Sequence, residues 1–586
     1  MRSLATVGIV PRKRVLGWRA AGLGLLVAVL ALGGAVRASE ALARRRLFRD
    51  LTSGPYRTLE GRLSDARLDR HRPLRPAARG SGEGAEPLAL PLGRLGALER
   101  AGDDHGLAVA LLLGGEAVQA RVRLERLSRE RRDPGVNNDQ AAAALAAGDA
   151  SSALPLLDQV LDREPLHPQA LFNRAVALRA LDLPLTAARS FERVSALGEP
   201  GWSAEAAGAA QRLRTSYEQR AVAANRSREV RRALAREGRL PSAGEGLPDD
   251  LREGLYEATW CAPTRAAVER LLPLARRLDE HYGGGRLEAY VRRVVGVDFG
   301  QRGPVARQFA ALERGRAAAH DENLVEEILR QRDQPAVADI VLGTLVRSHR
   351  ANDQLPRFQR LVAELHDPWF EVQALQLRSD NAYQLRRSDE ALRIAEEGLE
   401  RCRDLGTSVR CVALRGRVVR ALSDEYRVTE ALGHLRQALA QARLEGWVDE
   451  EAELLELAGR IESFRPGGSL GRAYLEELFL HPRASCAVRS AGAERLAQMA
   501  LRERRVWEAA GYLNQVPDCG RSGARAVFAA MTSIPDADAD AFFARVGAAV
   551  ISGSSPALAL RDARSSWASK LNSRGNGWID RVLVFE

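Results

Sequence analysis

The sequence predicts an all-α fold: an α-solenoid of helical hairpins behind an N-terminal transmembrane helix, with a short α/β remnant at the C-terminus. Three observations predict it. Ala, Leu, Arg and Glu recur at helical spacing while aromatics make up only 5% of the 586 residues, and sheets draw on aromatic and β-branched side chains. Two neighbouring segments repeat one pattern of small and large residues. The last ten residues, "GWIDRVLVFE", break the helical period and read as a buried strand.

The N-terminus comes first along the chain. An uncharged run from Ala20 to Val36 lies between Arg19 and Arg37, with Arg12, Lys13 and Arg14 ahead of it. Its length suffices to span a hydrocarbon core as a helix, and the basic flank favours a single-pass anchor with the body extracytoplasmic. The alternative is a signal peptide cleaved near Ala38, leaving a secreted protein. Residues 1–46 are therefore expected to form the tail and anchor. Residues 47–100, with the Pro-, Gly- and Arg-rich "HRPLRPAARGSGEGAEPLALP", are expected to form a linker.

The repeats follow in 101–245. "PGVNNDQAAAALAAGDASSALPLLDQVLDREPLH" from Pro134 aligns with "PQALFNRAVALRALDLPLTAARSFERVSALGEPG" from Pro168, a shift of 34 residues. Small residues match at the eighth and twentieth places (Ala141 with Ala175, Ala153 with Ala187), large ones at the twenty-fourth (Leu157 with Phe191) and valine at the twenty-seventh (Val160 with Val194). Small residues let two antiparallel helices approach where they cross, and bulky ones fill the gap to the next pair. This pattern resembles the tetratricopeptide repeat, or TPR. The resemblance implies a concave groove, lined by the first helix of each pair, that holds a protein or peptide ligand. Asn173, Val176 and Arg179 would project into it.

A second helical lobe is expected over 250–465, beyond a break at "EGRLPSAGEGLPDD". Its last part repeats at 40 residues, pairing Ala391 with Ala431, Leu399 with Leu439 and Gly406 with Gly446. Residues 250–365 have helical composition without a clear register. TPR-like helices return in 466–530, where Ala497 and Ala509 take the small-residue places.

The tail, 531–586, resembles the closing segment of the caspase-like peptidase domain called CHAT, which accompanies such repeats in bacterial proteins. Phe542, Phe543, Gly553 and Trp578 carry that resemblance. The family dyad is a His before Gly and a later Cys. Here His-Gly occurs at His105-Gly106, ahead of the repeats, and Cys519 has no strand-rich segment before it, so no catalytic residue transfers.

Other chemistry is scarce. The formal charge of +11 would suit nucleic acid, but the arginines are interspersed with carboxylates rather than gathered into a stripe, which argues against such a partner. Lys13 and Lys570 are the only lysines and neither sits in a phosphate loop. No CxxC or HExxH occurs, so no metal or cofactor is expected. The five cysteines read as small buried hydrophobes. His167, His434 and the His481/Cys486 pair read as structural.

The sequence thus points to a non-catalytic, membrane-anchored scaffold for proteins or peptides, with a complete CHAT-type homologue as one candidate partner. The alternatives are a cysteine peptidase using His481 or His105 with Cys486 or Cys519, or a decayed gene product.

Overall fold

The structure, a computed structural model, describes residues 42, 44–75, 92–130, 133–315, 322–406, 408–463, 468–503 and 505–514. Of the last 72 residues it also describes 527–530, 544–546, 548, 552, 560–563 and 582–585. The apolar run 20–36 and Phe542, Phe543, Gly553 and Trp578 lie outside these residues, as does Cys519. Among the described residues no helix is long and apolar enough to cross a membrane.

Two compact units divide the chain, Met1–Gln211 and Arg212–Glu586. Unit 1 holds α1 (residues 44–51), α2 (Leu92–Arg100) and three hairpins: α3 (Asp104–Leu113) with α4 (Ala117–Glu130), α5 (Pro134–Ala146) with α6 (Ala150–Arg163), and α7 (Pro168–Ala180) with α8 (Pro184–Ser195). The unit boundary falls inside the following helix, α9 (Trp202–Glu237). Each hairpin packs on the next, α4 on α5 and α6 on α7.

Local chemistry sets where these helices begin. Pro134 and Pro168 occupy first-turn positions that need no N–H donor, and Asp133, Asp149 and His167 accept hydrogen bonds from the free backbone N–H groups of Gly135, Ser152 and Ala170. The packing positions expected from the repeat are all buried: Ala141, Ala153, Leu157, Ala175 and Ala187 are fully inaccessible, and Phe191 nearly so. Phe191 meets Phe172 edge to face at 5.5 Å. Unit 1 is a TPR-like array.

Unit 2 begins irregularly with α10 (Pro248–Cys261), α11 (Arg265–Glu269), α12 (Leu272–Tyr282), α13 (Arg286–Val295), α14 (Phe299–Gly315), α15 (Glu322–Leu329), α16 (Ala338–Arg347) and α17 (Leu355–Leu365). Here α10 packs on α12, α14 and α16 rather than on one sequential neighbour. Ten of its fourteen residues are buried, so it lacks the apolar stripe that a repeat register needs.

Regular hairpins then resume: α18 (Pro368–Gln384) with α19 (Ser388–Arg401), α20 (Val409–Asp424) with α21 (Val428–Glu445), α22 (Val448–Glu462) with α23 (Ser469–Leu480), and α24 (Cys486–Arg502) with α25 (Val506–Asn514). Gly406 and Gly446, matched at 40 residues, both take the left-handed conformation after a helix, at φ 71° and 75°. Ala497 and Ala509 are buried.

Three expectations are corrected. Val527–Ala530, assigned to the TPR-like helices, is a strand, β1, which pairs antiparallel with β2 (Val582–Phe585). Val527 faces Phe585 and Ala530 faces Val582. An antiparallel pair is not the parallel sheet of an α/β domain, so the α/β remnant lacks support among the described residues. Residues 47–100 are not a free linker throughout, because Arg57, Arg62 and Leu63 are buried in unit 1. Finally, the cysteines are not uniformly small hydrophobes. Cys402 and Cys411 form a disulfide across the turn between α19 and α20, with Cα atoms 5.9 Å apart, and Cys486 is also disulfide-bonded.

Candidate functional site

The first helices α5 and α7 carry buried polar residues. Asn137, Asn138 and Asp139 on α5 and Asn173 on α7 are buried, so their amides and carboxylate need partners. They find them in an extended stretch of the same chain. The Asn173 Oδ1 accepts from the Arg62 backbone N–H at 2.6 Å, and its Nδ2 donates to the Arg62 carbonyl at 2.8 Å and to Asn138 Oδ1 at 3.0 Å. Asn138 Nδ2 donates to the same carbonyl at 3.1 Å. One residue's backbone is held from both sides.

Two residues further on, the Ser64 N–H donates to Asp139 Oδ1 at 2.7 Å. The other Asp139 oxygen lies 2.9 Å from His105 Nε2. That hydrogen bond outweighs burial and raises the His105 pKa above its ordinary value. His105 therefore braces the Asp139 carboxylate at the groove floor.

Arginines anchor the stretch at two points. The Arg62 guanidinium, 1% exposed, donates to Asp69 Oδ1 at 2.9 Å and Glu199 Oε2 at 2.6 Å and lies 4.3 Å from the Trp202 ring centre. Arg57 donates to Glu205 at 2.8 Å and lies 4.7 Å from the Trp202 ring centre. Such aromatic and carboxylate contacts suit the flat guanidinium better than an ammonium. Of the three residues expected in the groove, Asn173 clasps the backbone, Arg179 pairs with Glu60 at 2.5 Å, and Val176 is buried one turn along α7.

Sequence reasoning missed Asn138, Asp139, Glu199 and Trp202. The "NND" run at the start of an alanine-rich helix was the available signal, since polar residues there must face something that satisfies them. Replacing Asn173 by Leu is expected to remove two hydrogen bonds to Arg62, a loss of about 2 kcal/mol. Amide exchange of Arg62 and Ser64 should then quicken roughly 30-fold; an unchanged rate would refute the clasp.

Unit 2 has a groove of its own, a cavity of about 590 Å³ lined by α18, α20, α22 and α24. These are the first helices of its four regular hairpins. Val412, Leu454, Leu457 and Val488 supply apolar wall, Asp380, Arg417 and Arg420 supply charge, and Glu450 adds a carboxyl group. Arg417 donates to Asp380 at 2.6 Å. Burial pushes the Glu450 carboxyl up to about 8, so near neutral pH it retains a proton that it can donate to a ligand.

Among the described residues, the remaining candidates for chemistry stand in environments of their own. His481 is fully buried against Tyr217, with ring centres 5.3 Å apart, and desolvation lowers its pKa to about 4. The Cys486 sulfur is committed to its disulfide. Cys261 is the free cysteine among the described residues, and burial pushes its thiol well above the ordinary range. No group of three or more potential metal ligands occurs among the described residues.

The hairpin order and the grooves on the first helices define a TPR-like helical fold. No protein-family model matches the chain, and no curated protein does. Among solved structures, the crystal structure of yeast Tom70 is similar over 72% of this chain and 93% of that one, at 14% identity and a TM-score of 0.31.

Proposed function

We propose that the chain is a protein-interaction scaffold that takes a protein or peptide segment into the groove formed by α18, α20, α22 and α24. The observation that carries this reading is the alignment of four successive first helices along one groove with an apolar wall and charged margins. Such surfaces take segments whose apolar residues enter while polar ones meet the rim.

The scaffold is non-catalytic in this reading. Its support lies in the environments of the candidate groups: His105 is paired with Asp139, Cys486 is bridged and the Cys261 thiol is held protonated. The Ala20–Val36 run would tether the protein to a membrane, with secretion after cleavage as the alternative. An extracytoplasmic body agrees with the disulfides, which persist in oxidising compartments. Descent from TPR-CHAT proteins rests on the tail sequence.

The test is affinity capture from native membranes with the full chain and with Val488→Arg. Val488 is half-buried at the groove wall, and a guanidinium there should lower recovery of a groove-bound partner by at least ~10-fold, about 1.4 kcal/mol. Equal recovery by both chains would refute this groove as the binding surface.

A further inference from the structure

The occupant of the unit 1 groove is held as a ligand is held. Between residues 57 and 72 the chain has no helix; its backbone hydrogen bonds are those of the bridge from Arg57 to Leu74 and of a turn over residues 65–69. Its fixation comes largely from side chains of the repeats. Asn173 takes both the N–H and the carbonyl of Arg62, and Asp139 takes the N–H of Ser64. These contacts read main chain, which every extended peptide presents.

Leu63 is buried in the unit 1 core with Leu59 and Leu68 packed beside it, and Arg57 pairs with Glu205; the most restrictive fit is at two adjacent positions, 61 and 62. A Cβ on Gly61 would meet Asn173 Oδ1 at 3.2 Å and the Ala142 Cβ at 3.3 Å, tighter than ordinary van der Waals contact. Glycine is therefore the residue that fits there. At the next position, Trp202 and Glu199 give a guanidinium a flat face and a carboxylate.

We propose that residues 57–72 are a tethered occupant, and that the same groove binds an extended segment of another protein in which glycine is followed by arginine. The inference rests on the scaffold reading and adds to it a second site with its own regulation. The tethered segment acts at the high effective concentration of an intramolecular ligand, in the millimolar range for a short connection. An outside peptide must displace it, so unit 1 is self-inhibited until its own segment is released.

The experiment uses the full chain and a fluorescent synthetic peptide with the sequence of residues 57–72. Gly61→Val with Arg62→Ala in the chain weakens the tethered segment and leaves the groove residues in place. The doubly substituted chain should bind the peptide at least ~10-fold more tightly than the wild type, and adding Asn173→Ala should abolish the gain. A folded double variant that shows no gain overturns the proposal.

A second measurement decides the matter should that variant lose its unit 1 structure. In the unsubstituted chain, Arg62 and Ser64 amides that exchange through a local opening, faster than the helical core of unit 1, support a displaceable occupant. Exchange only with global unfolding overturns it, because the segment would then be a permanent part of the core. The Val488→Arg result separates the two readings. Partner capture that depends on Val488, together with no peptide binding, removes the tethered ligand and leaves the scaffold; loss of both removes both.

Discussion

Asp339→Ala should destabilise unit 2 by about 3–5 kcal/mol, the range seen when one member of a buried ion pair is removed. Arg302 on α14 is fully buried and holds Asp339 on α16 with two parallel hydrogen bonds of 2.7 and 2.9 Å. The Tyr290 hydroxyl donates to the same carboxylate at 2.9 Å. Backbone carbonyls of Ala336 and Thr259 take further Arg302 protons, at 2.9 and 3.0 Å. With the carboxylate gone, a guanidinium that cannot shed its proton stays inside with two neutral acceptors, and Tyr290 loses its partner. Urea unfolding followed by circular dichroism should show the lower midpoint. Arg302→Met combined with Asp339→Leu should recover most of the loss, because the large penalty belongs to the widowed charge. Equal instability of the single and double variants would show that the pair is not its source.

The second large effect is on acid stability. Desolvation lowers the His481 pKa from 6.5 to about 4; Glu451 and Asp449 oppose the shift, while Arg220 and Arg443 reinforce it. Below pH 6.5 the unfolded chain takes up a proton that the native chain refuses until about pH 4. Native stability is therefore whole above pH 6.5 and falls as the pH drops through that window. The full loss is about 3 kcal/mol. His481→Phe keeps an aromatic ring against Tyr217 and removes the titration. Comparing urea midpoints at pH 7 and pH 4.5, the wild type should lose more stability than the variant; identical losses would clear His481 of the effect.

What the sequence disclosed depended on whether a residue obeyed a period. Ala141, Ala153, Ala175 and Ala187 recur at helix crossings, and their period makes them visible in the sequence. Asn173 was legible for the same reason, as a polar residue on the concave face of a repeat. Arg62 was not, because 57–72 has no period and its role depends on a groove formed by residues about a hundred positions later. The helix α10 hid its register by being buried nearly all round, which removes the amphipathic contrast that periodicity reads. Val527–Ala530 was misassigned because "ARAVFAAM" is rich in alanine, a helix former; its strand character comes from pairing with residues at the far end of the chain. The Cys402–Cys411 bridge needed the turn after α19 to bring two half-cystines together, which spacing alone does not specify.

The ion pairs that pin the helices, from Arg62 and Arg302 to Arg417, are built on guanidinium groups, and Lys13 and Lys570 both lie outside the described residues. Acetylation and other modifications aimed at primary amines thus have no side chain to act on anywhere in the described helices.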